Sequence, residues 1–274
     1  MEIDQILYKS LMYPKKSWGK VLTLGAVVLV PSILILVIII LAGIFNNIAF
    51  SVIMAILGFI ILILAFLVFG GYLLRVIKAT LADIDDLPGF DAWGEILTDG
   101  LKVLVVYIVY SFIFGLIALI PFGILSLIGG YGLSGITGVS ANPFSTAYNP
   151  YLFAGAGLAL WVFYLALYIA YLILIAIMVV AEMVVPIALA NMAYKGSLGH
   201  AFEFGEIRKR INSIRWGKVL IWVLGVQFII SVISIASAIT ILLLVGVILV
   251  PLLVIPYLAI FYARSTAMVF EAVE

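Results

Sequence analysis

Long apolar runs alternate with short polar segments along this chain. Six of the runs are each long enough to cross the roughly 30 Å hydrocarbon core of a bilayer as a helix of about 20 residues. They lie at about 20–44, 49–74, 102–128, 153–181, 217–237 and 239–263. The pattern therefore predicts an all-α, polytopic membrane protein with six transmembrane helices.

Two pairs of runs are almost continuous, so the positions of their turns must be inferred. A single helix of about fifty residues is too long for any bilayer, which requires a hairpin in each place. The polar residues of "FNNIAF" at 45–50 and "SIASAIT" at 234–240 mark the expected turns. The six helices are thus predicted to form three helical hairpins.

The polar segments between the runs carry their own periodicity. Ile3, Ile6, Leu7 and Leu11 recur at helical spacing before the first run. Before the fifth run the same spacing relates four further apolar residues, Phe204, Ile207, Ile211 and Ile214. A helix with one apolar and one charged face is typical of a segment in the headgroup plane, so amphipathic interfacial helices are predicted here.

A Trp-Gly pair closes three of the polar segments, at Trp18, Trp93 and Trp216. The pattern predicts a unit of interfacial helix, Trp-Gly elbow and two-span hairpin, used three times in a single integral membrane domain. The repeat-like units are about 1–77, 78–195 and 196–274. The tryptophans are interpreted as interface anchors, and the glycines as residues that let the chain turn into the bilayer.

Polar residues near the end of each hairpin give a weaker sign of the same repeat. Arg75, Asn191 and Arg264 are interpreted as markers of the hairpin's return.

The distribution of charge predicts the orientation. With six spans, every Lys and Arg falls on one side of the membrane, and the opposite loops near 45–50, 129–151 and 236–240 contain none. By the positive-inside rule, both termini are expected in the cytoplasm and the protein in the cell membrane. The apolar stretch 151–193 is interpreted as one long helix, tilted or kinked at Pro186, because two spans there would move the basic cluster 208–210 outside.

Composition narrows the chemistry. The chain is 67% hydrophobic and 10% charged, has no Cys and one His, and carries a net charge of +1. The absence of Cys excludes disulfides, thiolate nucleophiles and Cys-based metal sites, and one His excludes a His-rich site within the chain. Neither a cofactor nor a metal is expected, and the near-neutral charge gives no reason to expect nucleic acid as a partner.

The acidic segment "DIDDLPGFDAWGE" at 83–95 resembles a calcium loop only superficially. An EF-hand needs Gly at the sixth position and Glu at the twelfth, where this chain has Pro88 and Gly94. We interpret the segment as solvated acids around a type II turn with Pro88 and Gly89 at its centre.

Two features within the spans are candidate functional residues. Glu182 lies four residues before Pro186, where it is either a proton-coupled site or one half of a structural ion pair with Arg75, Lys102 or Lys218. Gln227, Ser231, Ser234 and Ser237 form one polar stripe on the fifth span. Such a stripe marks either close helix packing or a hydrated path, and Gln227 is expected to find a protein partner.

Three stretches carry a resemblance to a known family. "LPGFDAWGEILTDGLKVLVVYIV" at 87–109, "GGYLLRVIKAT" at 70–80 and "HAFEFGEIRKRI" at 200–211 resemble an uncharacterised family of mainly archaeal multi-span membrane proteins, a domain of unknown function. The resemblance implies this architecture and brings no substrate or catalytic residue.

The absence of known catalytic motifs from the sequence is the main guide to the class of function. The sequence has no Gly-x-Ser-x-Gly elbow, paired intramembrane Asp, metal quartet or phosphate loop, so no enzyme is expected. A membrane-embedded interaction, assembly or envelope-maintenance protein is predicted, with the bilayer and a protein partner or second copy as its contacts. The alternative is a small-solute or proton-coupled transporter or channel using Glu182 and the polar stripe. The uncharged outer loop 130–151 either caps the helices, contacts a partner or moves freely.

Overall fold

The computed structural model describes the backbone of residues 2–45, 47–127 and 150–272, and side chains at 2–45, 47–126 and 160–272. Nearly all of the outer loop 130–151 therefore lies outside the described residues. The helices are α1 Ile3–Met12, α2 Trp18–Phe45, α3 Ile48–Leu81, α4 Trp93–Leu127, α5 Pro150–Lys195, α6 Phe204–Ile214, α7 Trp216–Leu242 and α8 Gly246–Glu271. Short 3₁₀ turns occupy Tyr13–Lys16 and Leu198–Phe202.

Six of these helices, α2, α3, α4, α5, α7 and α8, are long and apolar enough to cross a membrane. The prediction of an all-α, multi-pass membrane protein with six spans is confirmed. The helix α5 continues through Pro186 as one element, which agrees with one long helix over 151–193.

The chain divides into two compact units. The larger unit contains Met1–Ile108 and Met183–Glu274, and the smaller contains Val109–Glu182. All of α1, α2, α3, α6, α7 and α8 belong to the larger unit, whereas α4 and α5 contribute to both. The threefold repeat within a single domain stays a prediction.

The first hairpin turn lies where the sequence placed it. Asn47 precedes α3 with extended backbone, and its side-chain oxygen accepts a hydrogen bond from the Phe50 amide at 3.1 Å. This N-cap satisfies one of the amides that a helix start leaves without a partner.

The last hairpin turn lies later than predicted. The stretch 234–240 is helical, and α7 ends only at Leu242, before a turn in which Leu244 has a φ of 62°. Ser237 and Thr240 donate to carbonyls one turn earlier within the same helix, each at 2.7 Å. Their hydroxyls are therefore satisfied inside the helix, so a polar cluster that suggested a break does not cause one.

Two of the three segments predicted to be amphipathic interfacial helices are helical. In α1 Ile6 is buried, and in α6 Ile207, Ile211 and Ile214 are buried, so both helices pack an apolar face against the larger unit. The middle segment is not a helix, and residues 82–92 form an irregular connection between α3 and α4. The prediction of an interfacial helix there was wrong. Side chains from other parts of the unit donate hydrogen bonds to the backbone carbonyls of this stretch, which would otherwise be bonded within a helix.

The core of the larger unit lies where α3, α1 and α7 pack against α8. Tyr13, Tyr72, Trp222, Phe261 and Phe270 are its largest fully buried side chains within that unit. Farther along the spans the surface changes: Ile48 is 86% exposed and Leu242 83%, as expected for side chains that face lipid. The protein core is thus concentrated at the ends of α3 and α8 that carry the charged residues.

Candidate functional site

The connection between α3 and α4 begins with a sharp turn at the end of α3. The amide of Ile84 donates to the Ala79 carbonyl at 2.9 Å, and that of Asp83 to the Thr80 carbonyl at 3.1 Å, while Asp83 has a φ of 55°. This is a Schellman arrangement with Asp83 at the left-handed position.

The type II turn predicted at Pro88 and Gly89 is absent from the structure. Such a turn needs a positive φ at Gly89. Among the glycines that the structure describes, only Gly196 has one. The prediction was wrong, because the reversal takes place at the helix end instead.

Residues 82–92, which we term the clamped loop, are held by side chains that reach its backbone. Six consecutive carbonyls, from Ile84 to Gly89, each accept a side-chain hydrogen bond. In order, the donors are Arg264 at 3.3 Å, Lys16 at 3.4 Å, Tyr13 at 3.0 Å, Lys20, Tyr72 at 3.2 Å and Arg75 at 3.3 Å. A backbone without regular secondary structure thereby has its acceptors satisfied.

The donors come from three separate parts of the larger unit. Tyr13, Lys16 and Lys20 belong to the turn after α1 and the start of α2, Tyr72 and Arg75 to α3, and Arg264 to α8. A hydrogen bond of this kind contributes about 0.5–1.5 kcal/mol to stability, and one from a charged donor about 1.5–3 kcal/mol. The clamped loop therefore ties the N-terminal segment, α3 and α8 together.

The acids around the loop are paired as well as solvated. Asp85 contacts Lys16 and lies 3.2 Å from Arg264, although its side chain is 69% exposed. Arg75 lies 2.8 Å from Glu95 and 3.7 Å from Asp91. The interpretation of these residues as simply solvated acids was therefore incomplete.

Asp99 is the buried acid of this region, and the sequence analysis did not single it out. Its side chain is 6% exposed, and its two oxygens lie 2.6 Å from Lys78 and 3.4 Å from Lys102. The three-residue spacing to Lys102 on a helix was a signal that could have found it.

The ionisation of two groups follows from these contacts. The hydrogen bond from Lys16, followed by the charges of Lys16, Arg264 and Lys9, lowers the pKa of Asp85 despite a smaller opposing effect of desolvation. Burial raises the pKa of Tyr13, and Arg264 opposes the rise. Tyr13 thus keeps the proton that it donates to the Asp86 carbonyl, while Asp85 stays charged.

A pocket of about 680 Å³ opens beside the clamped loop. Its walls come from α1, the turn after α1, the ends of α3 and α8, and the first residues of the loop. Charges of both signs line it: Lys9, Lys16 and Arg264, with Asp83, Asp85 and Glu271. This arrangement suits a polar ligand that carries both charges.

A second polar cluster joins α5 to α6. Lys195 contacts Glu206 and lies 2.9 Å from Glu203, whose other oxygen is 2.8 Å from His200 Nδ1. The hydrogen bond from Lys195 and then that from His200 lower the pKa of Glu203. His200 therefore takes part in a structural network at the end of α5.

The predicted markers of hairpin return share one role. Arg75 donates to the Gly89 and Ala92 carbonyls, and Arg264 to the Ile84 carbonyl. Asn191 likewise donates to the His200 carbonyl at 2.8 Å. Each of the three fastens the backbone of a polar segment to the end of a span.

The three tryptophans are each the first residue of a spanning helix, α2, α4 and α7. They are 42–50% exposed, and their role as interface anchors stays a prediction. The glycines after them have no positive φ and open space around them, so the turning role assigned to them was wrong. At the third elbow the left-handed residue is instead Arg215, with a φ of 75°.

The polar stripe lies mostly on the outer surface of the larger unit. Gln227, Ser231 and Ser234 are exposed, whereas Ser237 is buried and bonded within its helix. Glu182 is half-buried at the end of the smaller unit. The functional roles predicted for these residues stay predictions.

Comparison with known proteins gives one family. No curated protein and no solved structure matches the chain. A family model described as "Protein of unknown function (DUF4013)" matches residues 53–245. This span contains the clamped loop, whereas Tyr13, Lys16, Lys20 and Arg264 lie outside it. Because the match covers more than half of the sequence, the chain belongs to the DUF4013 family, whose function is unknown.

Proposed function

We propose that this protein is a non-enzymatic, membrane-embedded interaction or assembly protein that serves the cell envelope and associates with a second copy of itself. The observation that carries the proposal is the exposure of Gln227, Ser231 and Ser234 on one face of α7. These side chains lie on a spanning helix, where the alternative to a protein partner is lipid.

The chemistry of the stripe favours self-association. A Gln amide has two donors and one acceptor oxygen, none of which hydrocarbon satisfies. Two copies of α7 facing each other satisfy both amides, and the small serines let the helices approach closely. A two-fold interface brings the same residues together from both copies, which suits a self-complementary group.

The charged groups of the larger unit support a structural role. Arg75 and Arg264 are engaged with backbone carbonyls and carboxylates of the clamped loop. Asp99 is engaged with Lys78 and Lys102. Groups that are committed in this way hold a protein surface in place, which is what an assembly protein needs.

Cross-linking tests the interface. The chain has no Cys, so a single introduced Cys reports one position only. We expect Gln227→Cys to form a disulfide-linked dimer in native membranes. Val232→Cys is the matched control, since Val232 is 50% exposed on the same helix and lies roughly 140° around it. Equal cross-linking of both variants, or none in either, would contradict the interface.

A flux assay tests the transport alternative, which uses Glu182 and the polar stripe. In proteoliposomes we expect no proton or solute flux above that of empty vesicles, and no difference for Glu182→Gln. A flux that the wild-type protein supports and Glu182→Gln abolishes would overturn the proposal in favour of transport.

The proposed orientation places both termini in the cytoplasm of a cell-membrane protein. Lys15 and Ile48 are exposed and lie near opposite ends of α2. On intact cells a membrane-impermeant maleimide is expected to label Ile48→Cys and to leave Lys15→Cys unlabelled until the cells are opened. The reverse pattern would place the termini outside.

A further inference from the structure

Tyr13 and Arg264 form one wall of the 680 Å³ pocket, which we term the platform. Tyr13 is 1% exposed, and the Arg264 guanidinium lies over its ring, 4.4 Å from the centroid. Arg264 also donates to Thr80 Oγ1 at 3.1 Å and to Asp85. These contacts fix the position of the guanidinium, so the platform exists before any ligand arrives.

The charges around the platform are only partly matched. Asp85 is paired with Lys16 and Arg264. In the part of the chain that the structure describes, Lys9, Asp83 and Glu271 have no ion pair, although all three line the pocket. The pocket therefore keeps one cation and two carboxylates available to a ligand.

The two carboxylates create a place for a cation. Asp83 is held by the left-handed turn after α3, and Glu271 is the last residue of α8. Burial and then the charge of Asp83 disfavour the charged form of Glu271, whereas the charges of Arg264 and Arg210 favour it. A ligand ammonium group beside both carboxylates relieves this repulsion and gains two charge-assisted hydrogen bonds.

The remaining walls suit an amphiphile at the membrane surface. Lys9 lies on the amphipathic helix α1 and offers an ammonium group to an anion. Met12, Met268 and Ala272 provide apolar wall beside the charges. The pocket lies beside the ends of the spanning helices α3 and α8, and the ends of spanning helices reach the level of the lipid headgroups.

We propose that this pocket binds a zwitterionic headgroup in which an ammonium group and a phosphate are joined by a short linker. The ammonium group lies against Asp83 and Glu271, and the phosphate lies against Lys9. Phosphoethanolamine lipids have this chemistry, and their N–H groups provide the donors that the carboxylates accept.

Short-chain lipids added to the detergent-purified protein test the ligand class. We expect dihexanoyl phosphatidylethanolamine to bind more tightly than phosphatidylcholine, whose ammonium group has no N–H, and than phosphatidylglycerol, which has no cation. Tryptophan fluorescence and the thermal unfolding midpoint report binding. Equal affinity for the three lipids would overturn the proposal.

Variants test the site itself. Asp83→Asn and Lys9→Gln are each expected to weaken phosphatidylethanolamine binding about tenfold, as the loss of a charge-assisted hydrogen bond predicts. Asn accepts the left-handed backbone of position 83, so Asp83→Asn keeps the turn. The matched control is Asp86→Asn, which changes the same charge in the same loop at an exposed side chain. If Asp83→Asn and Asp86→Asn bind phosphatidylethanolamine with the same affinity, the pocket is not the binding site.

Free phosphoethanolamine distinguishes two sources of the same chemistry. Competition by the free compound at concentrations similar to those of the lipid would support the site with a soluble zwitterion as its ligand. Binding of the lipid without such competition would support the site with a membrane lipid as its ligand.

Discussion

The two parts of α3 are both mainly apolar, but they differ in polar content and in surroundings: 48–69 has no charged residue, whereas 70–81 contains Arg75 and Lys78. In the stretch 48–69, Ile48 is 86% exposed and Phe59 63%, and Gly58 is the buried residue. In the stretch 70–81 most residues are buried, including Tyr72, Leu74, Val76, Ile77 and Thr80. The comparison shows that apolar character places a helix in the membrane without determining where it contacts protein.

The difference between the two parts has a physical cause. Lipid tails solvate an apolar side chain as well as another apolar side chain does, so the stretch 48–69 gains little by packing. The stretch 70–81 contains Tyr72, Arg75 and Lys78, which donate to the clamped loop or to Asp99. Polar contacts that lipid cannot replace therefore determine which part of α3 is buried.

The largest expected effect comes from the point where the backbones of α3 and α4 lie closest together. A Cβ at Gly71 would lie 1.9 Å from the Ile96 carbonyl oxygen of α4, so Gly71→Ala forces the two helices apart. We expect a loss of about 3 kcal/mol in unfolding free energy, the upper end for overpacking. Gly58→Ala is the matched control on the same helix, because nothing lies within 4 Å of its Cβ position.

Denaturation of the purified protein measures both variants of α3. We expect the free energy of unfolding to fall strongly in Gly71→Ala and to change little in Gly58→Ala. Gly100→Ala approaches the same crossing from α4, where its Cβ would lie 1.9 Å from the carbonyl oxygen of Leu67, near the boundary between the two parts of α3, and should match Gly71→Ala. Similar losses at Gly58 and Gly71 would remove the distinction between the two parts of α3.

The second-largest loss of stability is expected when the clamped loop loses one of its side-chain donors. Arg264→Gln removes the donors to Ile84 and Thr80 and the charge beside Asp85. We expect a loss of about 2 kcal/mol and faster amide exchange within residues 82–92. Arg208→Gln removes the same charge from an exposed position on α6 and is expected to change neither. Unchanged exchange in Arg264→Gln would show that the other donors suffice.

The smallest expected effect is the pH dependence from Asp85. Its folded-state pKa is lowered, so its contribution to stability is present above the unfolded value of about 3.9 and is lost as the pH falls through the folded value. The side chain is 69% exposed, which keeps the effect small. Asp85→Asn should flatten the fall of the unfolding midpoint between about pH 5 and pH 3, and Asp86→Asn should not. A curve unchanged by Asp85→Asn would exclude this contribution.

Hydrophobic pattern predicted the six spans, the first hairpin turn and the helices α1 and α6, because these depend on local periodicity and length. It did not predict the clamped loop. The donors Tyr13 and Lys20 lie 73 and 67 residues from the carbonyls that they reach, and a backbone acceptor has no sequence signature. The end of α7 was misplaced because Ser237 and Thr240 bond within the helix, a choice that composition does not reveal.

In the clamped loop, the contacts that fix the path of the backbone do not depend on which side chains the loop exposes. The hydrogen bonds that fix residues 84–89 end on carbonyl oxygens, which every residue type provides. Exposed positions such as Ile84 and Asp86 can therefore accept new side chains while the backbone keeps its path. A stretch built in this way is suited to changing its specificity by mutation without a loss of fold.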